Sequence, residues 1–114
     1  MSGEPFVVVV KMYLKEGQEQ NFYSAIKPVL DRMRLEKEFI NTSMLHAQDD
    51  PRSIMLFETW RGLEYFEQVQ LHRPYFTSYF KKLQSFLEKP LTREYFSPVR
   101  SDYAFHESKS GQLL

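Results

Sequence analysis

The chain has no cysteine among its 114 residues. Disulfides and thiol chemistry are therefore excluded, and zinc would have to be held by histidine and carboxylate alone. Histidine is scarce too: His46, His72 and His106 stand far apart, with no HxH or HxxxH pair, so nothing supports a metal site. Net charge is also missing, because 15 Lys and Arg balance 15 Asp and Glu. Without a basic stripe there is no electrostatic footprint for nucleic acid, and no such partner is expected. The concentrated apolar run near the start, Phe6 to Val10, stops at Lys11. It follows no basic segment and is too short for a signal peptide or a membrane span, so the expectation is a cytoplasmic chain with no membrane partner. There is no repeat, no low-complexity block and no second domain.

Aromatic rings are what the sequence has in quantity: 10 Phe, 7 Tyr and 1 Trp. So many rings must fill a core, line a pocket or cover a subunit interface. Their spacing sorts them into elements. Residues 5–14, PFVVVVKMYL, are β-branched and apolar, with Phe6, Val8, Val10, Met12 and Leu14 on one face. After Gly17, Phe22, Ile26, Val29 and Met33 recur at helical spacing, broadened by Ala25 and Leu30. Pro28 falls inside that helix and is expected to kink or split it. Residues 39–48 form a second strand, with His46 on the face of Ile40 and Met44. Asp49-Asp50-Pro51-Arg52 reads as a turn, and residues 53–60 return as the third strand. Leu63, Phe66 and Val69 mark a short helix after Gly62. Pro74 starts another, with Phe76, Phe80, Leu83 and Leu87 along one face, ended by Lys89-Pro90. Residues 91–96 alternate as a final strand, and from Ser97-Pro98 onward the chain is polar.

The order β-α-β-β-α-β defines an α+β, ferredoxin-like fold over residues 1–97, followed by a polar tail at 98–114. Helices joining parallel neighbours should cover one face of an antiparallel sheet. The other face keeps apolar side chains from the first and third strands. Such a face requires cover, so a homodimer through the sheet is expected.

One stretch stands out inside the third strand. In LFETW, residues 56–60, strand alternation places Leu56, Glu58 and Trp60 on one face. A carboxylate among apolar neighbours is paired with a cation, exposed at a strand end, or placed for chemistry.

Residues 49–60, DDPRSIMLFETW, resemble the Asp-Pro…Glu-x-Trp hairpin of the antibiotic biosynthesis monooxygenase (ABM) family. The likeness extends to the Lys15-Glu16-Gly17 turn, to Glu36, to the Pro74-Tyr75-Phe76 helix start and to the strand after Pro90, about residues 6–97 in all. There are departures. Lys37-Glu38-Phe39 stands where the family has Pro-Gly-Cys, and Thr42 replaces a tyrosine. The family's histidine four residues before the proline falls at Val69 or Gln70, and the histidine after it is Tyr75. Phe80 and Val10 occupy the positions where haem-degrading relatives carry His and Asn, which disfavours haem degradation.

The resemblance implies a dimeric α+β barrel with a pocket between sheet and helices in each subunit. It implies a cofactor-independent monooxygenase that oxidises a phenol or quinol-type aromatic small molecule with dioxygen. Such a pocket requires a base tuned near neutral pH, aromatic walls and exclusion of water. Glu58 is the candidate acid/base, because burial beside an indole raises a carboxylate's pKa. His72 is a candidate second titrating group, with His46 behind it. Trp60, Phe76, Tyr79 and Phe80 are candidate substrate-binding walls, although each is first of all an ordinary core residue. Tyr13 and Tyr75 are further candidates for hydrogen bonds to a phenolic substrate. The alternatives on the same fold are a non-catalytic small-molecule-binding or stress-response dimer, and an isomerase using the same pocket.

Overall fold

The computed structural model describes residues 3–104. Its elements run β1 (Pro5–Tyr13), α1 (Glu19–Met33), β2 (Phe39–Ala47), β3 (Asp50–Arg61), α2 (Leu63–Gln68), a 3-10 turn (Gln70–His72), α3 (Pro74–Phe86) and β4 (Thr92–Phe96). The four strands form one sheet in the order β2-β3-β1-β4, every pair antiparallel. This is the ferredoxin-like arrangement. The parallel strands joined by helices are not neighbours, however: β3 lies between β1 and β2, and β1 lies between β3 and β4.

Register decides which side chains meet. Phe6, Val8, Val10 and Met12 stand opposite Trp60, Glu58, Leu56 and Ile54. These residues bury against Phe22, Ile26, Val29 and Met33 of α1 and Tyr79 and Leu83 of α3, forming the core between sheet and helices. The helices cover the inner face because their apolar stripes match the strand residues of one parity, and only those.

Several boundaries differ from the sequence reading, each for a local reason. The turn is confined to Gln48-Asp49, and β3 already begins at Asp50. The Asp50 carboxylate accepts the Arg52 N–H at 3.1 Å and the Tyr13 hydroxyl at 2.9 Å, which holds Pro51 in an extended segment. A register shift between Phe39 and Asn41 turns Phe39 inward against Trp60. Ile40 thereby leaves the face of Met44 and His46 and joins the outer side with Phe57. Helix α1 runs unbroken through Pro28, whose ring lies on the exposed side, so the expected split does not occur. Helix α3 ends at Phe86, before Lys89-Pro90, because the next residues pair with the end of β1. Leu14 bridges Leu87, and the Glu88 N–H donates to the Tyr13 carbonyl at 2.8 Å.

The outer face carries Val7, Val9, Phe57 and Phe96, with Phe57 39% and Phe96 51% exposed. Residues 97–104 form no helix or strand; Val99 and Tyr103 flank the same face along a broad open groove. His106 lies outside the described residues. Among those described, no helix is long and apolar enough to cross a membrane.

Candidate functional site

Glu58 sits on the inner face of the sheet, with Val8 of β1 on one side and Thr42 of β2 on the other. It and Gln70 are the two buried polar side chains among the described residues. Because residues two apart on a strand share a face, the indole of Trp60 reaches back to it, and Trp60 Nε1 donates to Glu58 Oε1 at 2.9 Å. Trp60 is itself fully buried, edge-on to Phe39 at 5.3 Å and tilted against Phe66 at 5.5 Å. The indole N–H thus finds an acceptor inside the core, and the carboxylate finds one donor.

One donor does not compensate for lost hydration. Burial raises the Glu58 pKa above the usual carboxylate value, and the Trp60 hydrogen bond and the positive charge of Arg93 oppose it only in part. Arg93, opposite Val10 on β4, projects to the same side with its guanidinium 5.4 Å from the Phe80 ring. Among the described residues no cation stands within the 4.0 Å of an ion pair with Glu58, so the paired alternative raised from the sequence does not apply. Tyr79 is close enough for the Glu58 charge to raise its phenol further, on top of the larger effect of burial.

These side chains meet at a cavity of about 30 Å³ between the sheet and the helices. That is room for about two water molecules, not for an aromatic ring. Glu58, Trp60, Phe76, Tyr79 and Phe80 all line it. Phe76 and Phe80 stack at 5.8 Å, and both are only half-buried, as is Leu91 beside them. The wall on that side is a pair of partly buried rings at the rim, packed against the core.

The other titrating candidates lie elsewhere. His72 is exposed on the 3-10 turn and does not line the cavity. The turn directs Gln70 inward instead, two residues earlier. His46 is exposed at the hairpin end, with Nδ1 2.9 Å from the Ala47 carbonyl oxygen. Tyr13 is held outside the cavity by Asp50 and by Arg52, whose Nη2 donates to its hydroxyl at 2.9 Å.

Tyr75 belongs to a chain of polar groups that ends at the cavity wall. Arg73 Nη2 donates to Glu36 Oε1 at 3.1 Å, and the Tyr75 hydroxyl donates to Glu36 Oε2 at 2.7 Å. Gln70 Nε2 donates to the Tyr75 oxygen at 2.9 Å. Burial, with the neighbouring Glu36 carboxylate assisting, pushes the Tyr75 phenol up to about 12. Gln70 lines the cavity, and its Oε1 is buried with no hydrogen-bond partner. Gln70 and Arg93 went unremarked as site residues in the sequence. The alternation of β4 carried a signal for Arg93, an inward charge between Leu91 and Tyr95. Gln70 had only the resemblance, which sets the family's histidine at Val69 or Gln70, because its direction is set by the turn. Among the described residues, no group of three His, Asp or Glu side chains is placed to hold a metal ion.

Fold and site together define a ferredoxin-like α+β domain that keeps one carboxylate in a small apolar pocket between its sheet and its helices. The chain belongs to the antibiotic biosynthesis monooxygenase family, whose sequence profile matches residues 5–82. Among solved structures, it resembles SnoaB of Streptomyces nogalater, a cofactor-independent oxygenase. The TM-score is 0.75 at 15% identity, over 87% of this chain and 97% of that one. A Nitrosomonas europaea protein provisionally assigned as an antibiotic biosynthesis monooxygenase aligns with TM-score 0.78 at 14% identity, over 87% and 94%. A conserved protein of Methanosarcina mazei aligns with TM-score 0.77 at 19% identity, over 82% and 92%. No functionally curated protein matches by sequence. At these identities the structural likeness speaks for the fold.

Proposed function

We propose that the protein is a monooxygenase that oxidises a phenol or quinol-type aromatic with dioxygen, without metal or flavin, using Glu58 as acid/base. The observation that carries this reading is a carboxylate buried at a small cavity, held by a single indole N–H and raised by burial above the ordinary carboxylate value. For an anthrone-type substrate, Glu58 removes a proton from the ring methylene, and the electron-rich carbanion passes electrons to dioxygen. One oxygen atom becomes the new carbonyl, and the other leaves as water with the two methylene hydrogens. Trp60 and Tyr79 form the fixed walls. Phe76 and Phe80, stacked at the half-buried rim, part to admit the ring. A homodimer closes the outer faces of the two sheets over Val7, Val9 and Phe57. His72 has no part in this scheme, since it stands in solvent.

A specific observation favours a second reading. The resting cavity of about 30 Å³ fits no ring, which favours a dimer of the same fold that serves a stress response without turnover, or one that binds a small molecule only after the rim rings part. The decisive test supplies anthrone and quinols under air and under argon to the wild type, Glu58→Gln and Trp60→Phe. Oxygen-dependent turnover that Glu58→Gln abolishes supports the monooxygenase. Quenching of Trp60 emission without turnover supports the binding dimer. Turnover at the same rate under argon points to an isomerase.

A further inference from the structure

The Gln70 side chain is 1% exposed, and its carbonyl oxygen has no donor. A side-chain amide can be turned end for end, so its orientation must follow from its partners. Here they fix it. Glu36 Oε1 accepts from Arg73, and Glu36 Oε2 lies 2.7 Å from the Tyr75 oxygen. A carboxylate beside an arginine is an acceptor only, so Tyr75 must spend its single proton on Glu36. The Tyr75 oxygen can then only accept from Gln70, which commits the amide nitrogen to that contact. The carbonyl oxygen is left buried without a donor, on a side chain that lines the cavity. The raised phenol keeps Tyr75 protonated, and the chain polarised in this sense, throughout the neutral range. Nothing in the proposed chemistry at Glu58 uses this group.

We propose that Gln70 is the specificity-determining acceptor of the cavity, taking a hydrogen bond through its side-chain oxygen from a hydroxyl or N–H that the ligand carries apart from the group meeting Glu58. The ligand class is then an aromatic bearing two donors, in the simplest case a dihydroxyarene. A donor at that position pairs a carbonyl that is otherwise buried and unpaired, whereas an apolar edge leaves it so, and that difference favours the donor-bearing ligand. This inference rests on the cavity being a small-molecule site. It adds what that molecule must carry.

The test is equilibrium dialysis under argon with 1-naphthol, 2-naphthol, 1,5-dihydroxynaphthalene and 2,6-dihydroxynaphthalene. The protein is wild type and Gln70→Met, a replacement of similar length without polar hydrogens, with Gln70→Leu in reserve should the first not fold. The wild type is expected to bind at least one diol about tenfold more tightly than its matching mono-ol. Gln70→Met is expected to bring that ratio within about twofold, a change that general loosening of the fold would not produce. A wild-type ratio near one overturns the inference by itself, whatever the variants do. So does a diol preference that survives in folded Gln70→Met. In both cases the proposed oxidation at Glu58 stands. Failure of all four compounds to bind overturns the small-molecule site itself, and the oxidation with it.

Discussion

Replacing Glu58 by Gln should stabilise the protein, although it alters a buried residue at the centre of the sheet. The side chain accepts one hydrogen bond from Trp60 and has no cation at ion-pair distance, so its charge is poorly compensated in the folded chain and well hydrated in the unfolded one. The folded pKa is raised above the ordinary value of 4.5. The stability linked to this group is therefore fully present below that ordinary value and lost as pH rises through the raised folded one. Glu58→Gln keeps an oxygen for the Trp60 N–H and removes the charge. At about pH 8 the gain should be about 1–3 kcal/mol, the cost of leaving a buried polar group short of partners. For a domain of this size that is about 4–12 °C in Tm. Near pH 4 the folded carboxyl is protonated, and the difference should fall within about 0.5 kcal/mol. Thermal melts of both proteins at the two pH values measure this directly. Destabilisation of the variant by a similar amount at pH 8 would mean that the ionised carboxylate is held favourably, with Arg93 as counter-charge. The case for a base tuned by burial would then be lost. Stability and chemistry should part company here, since the same substitution is expected to cut oxygen-dependent turnover about 10²–10⁴-fold.

Phe80→Ala removes half of the stacked pair at the cavity rim, and should cost about 2–3 kcal/mol in chemical denaturation while admitting bulkier aromatic ligands. Phe57→Arg places a charge at the middle of the exposed sheet face. Sedimentation should find the wild type at twice the 13.7 kDa of the chain and the variant at the monomer mass; a monomeric wild type contradicts the dimer. His72→Ala alters an exposed ring away from the cavity, and should leave Tm within about 2 °C and turnover unchanged.

The inward set of β1, the stripe of α1 and the pairing of Glu58 with Trp60 on one face were all legible, because each depends on a local period of two or three to four residues. The same reasoning failed wherever a distant partner changed the local rule. Asp50 was read as turn because its composition is that of a turn, yet Tyr13, thirty-seven positions away, draws it into the strand. Alternation puts Ile40 on the face of Met44 and His46, and a bulge interrupts it. The sequence offers His72 as a second titrating group, but a 3-10 turn sends Gln70 inward and leaves the histidine outside. Arg93 was legible by the rule that found Glu58, and its place beside the cavity became visible only once β4 was set next to β1.

By itself the sequence determined the layers, since an element's apolar face follows from the spacing of its own residues and needs no knowledge of the rest of the chain. It also determined that a carboxylate would share a strand face with the tryptophan. Only the tertiary structure decided what that carboxylate meets: one indole N–H, an arginine beyond ion-pair reach, and an unpaired amide carbonyl on a side chain lining the same small cavity. Those relations join β3, β4 and the turn before α3. They exist only when segments remote in sequence are packed together and water is shut out, and burial of that kind sets both the charge state of Glu58 and the hydrogen that Gln70 requires.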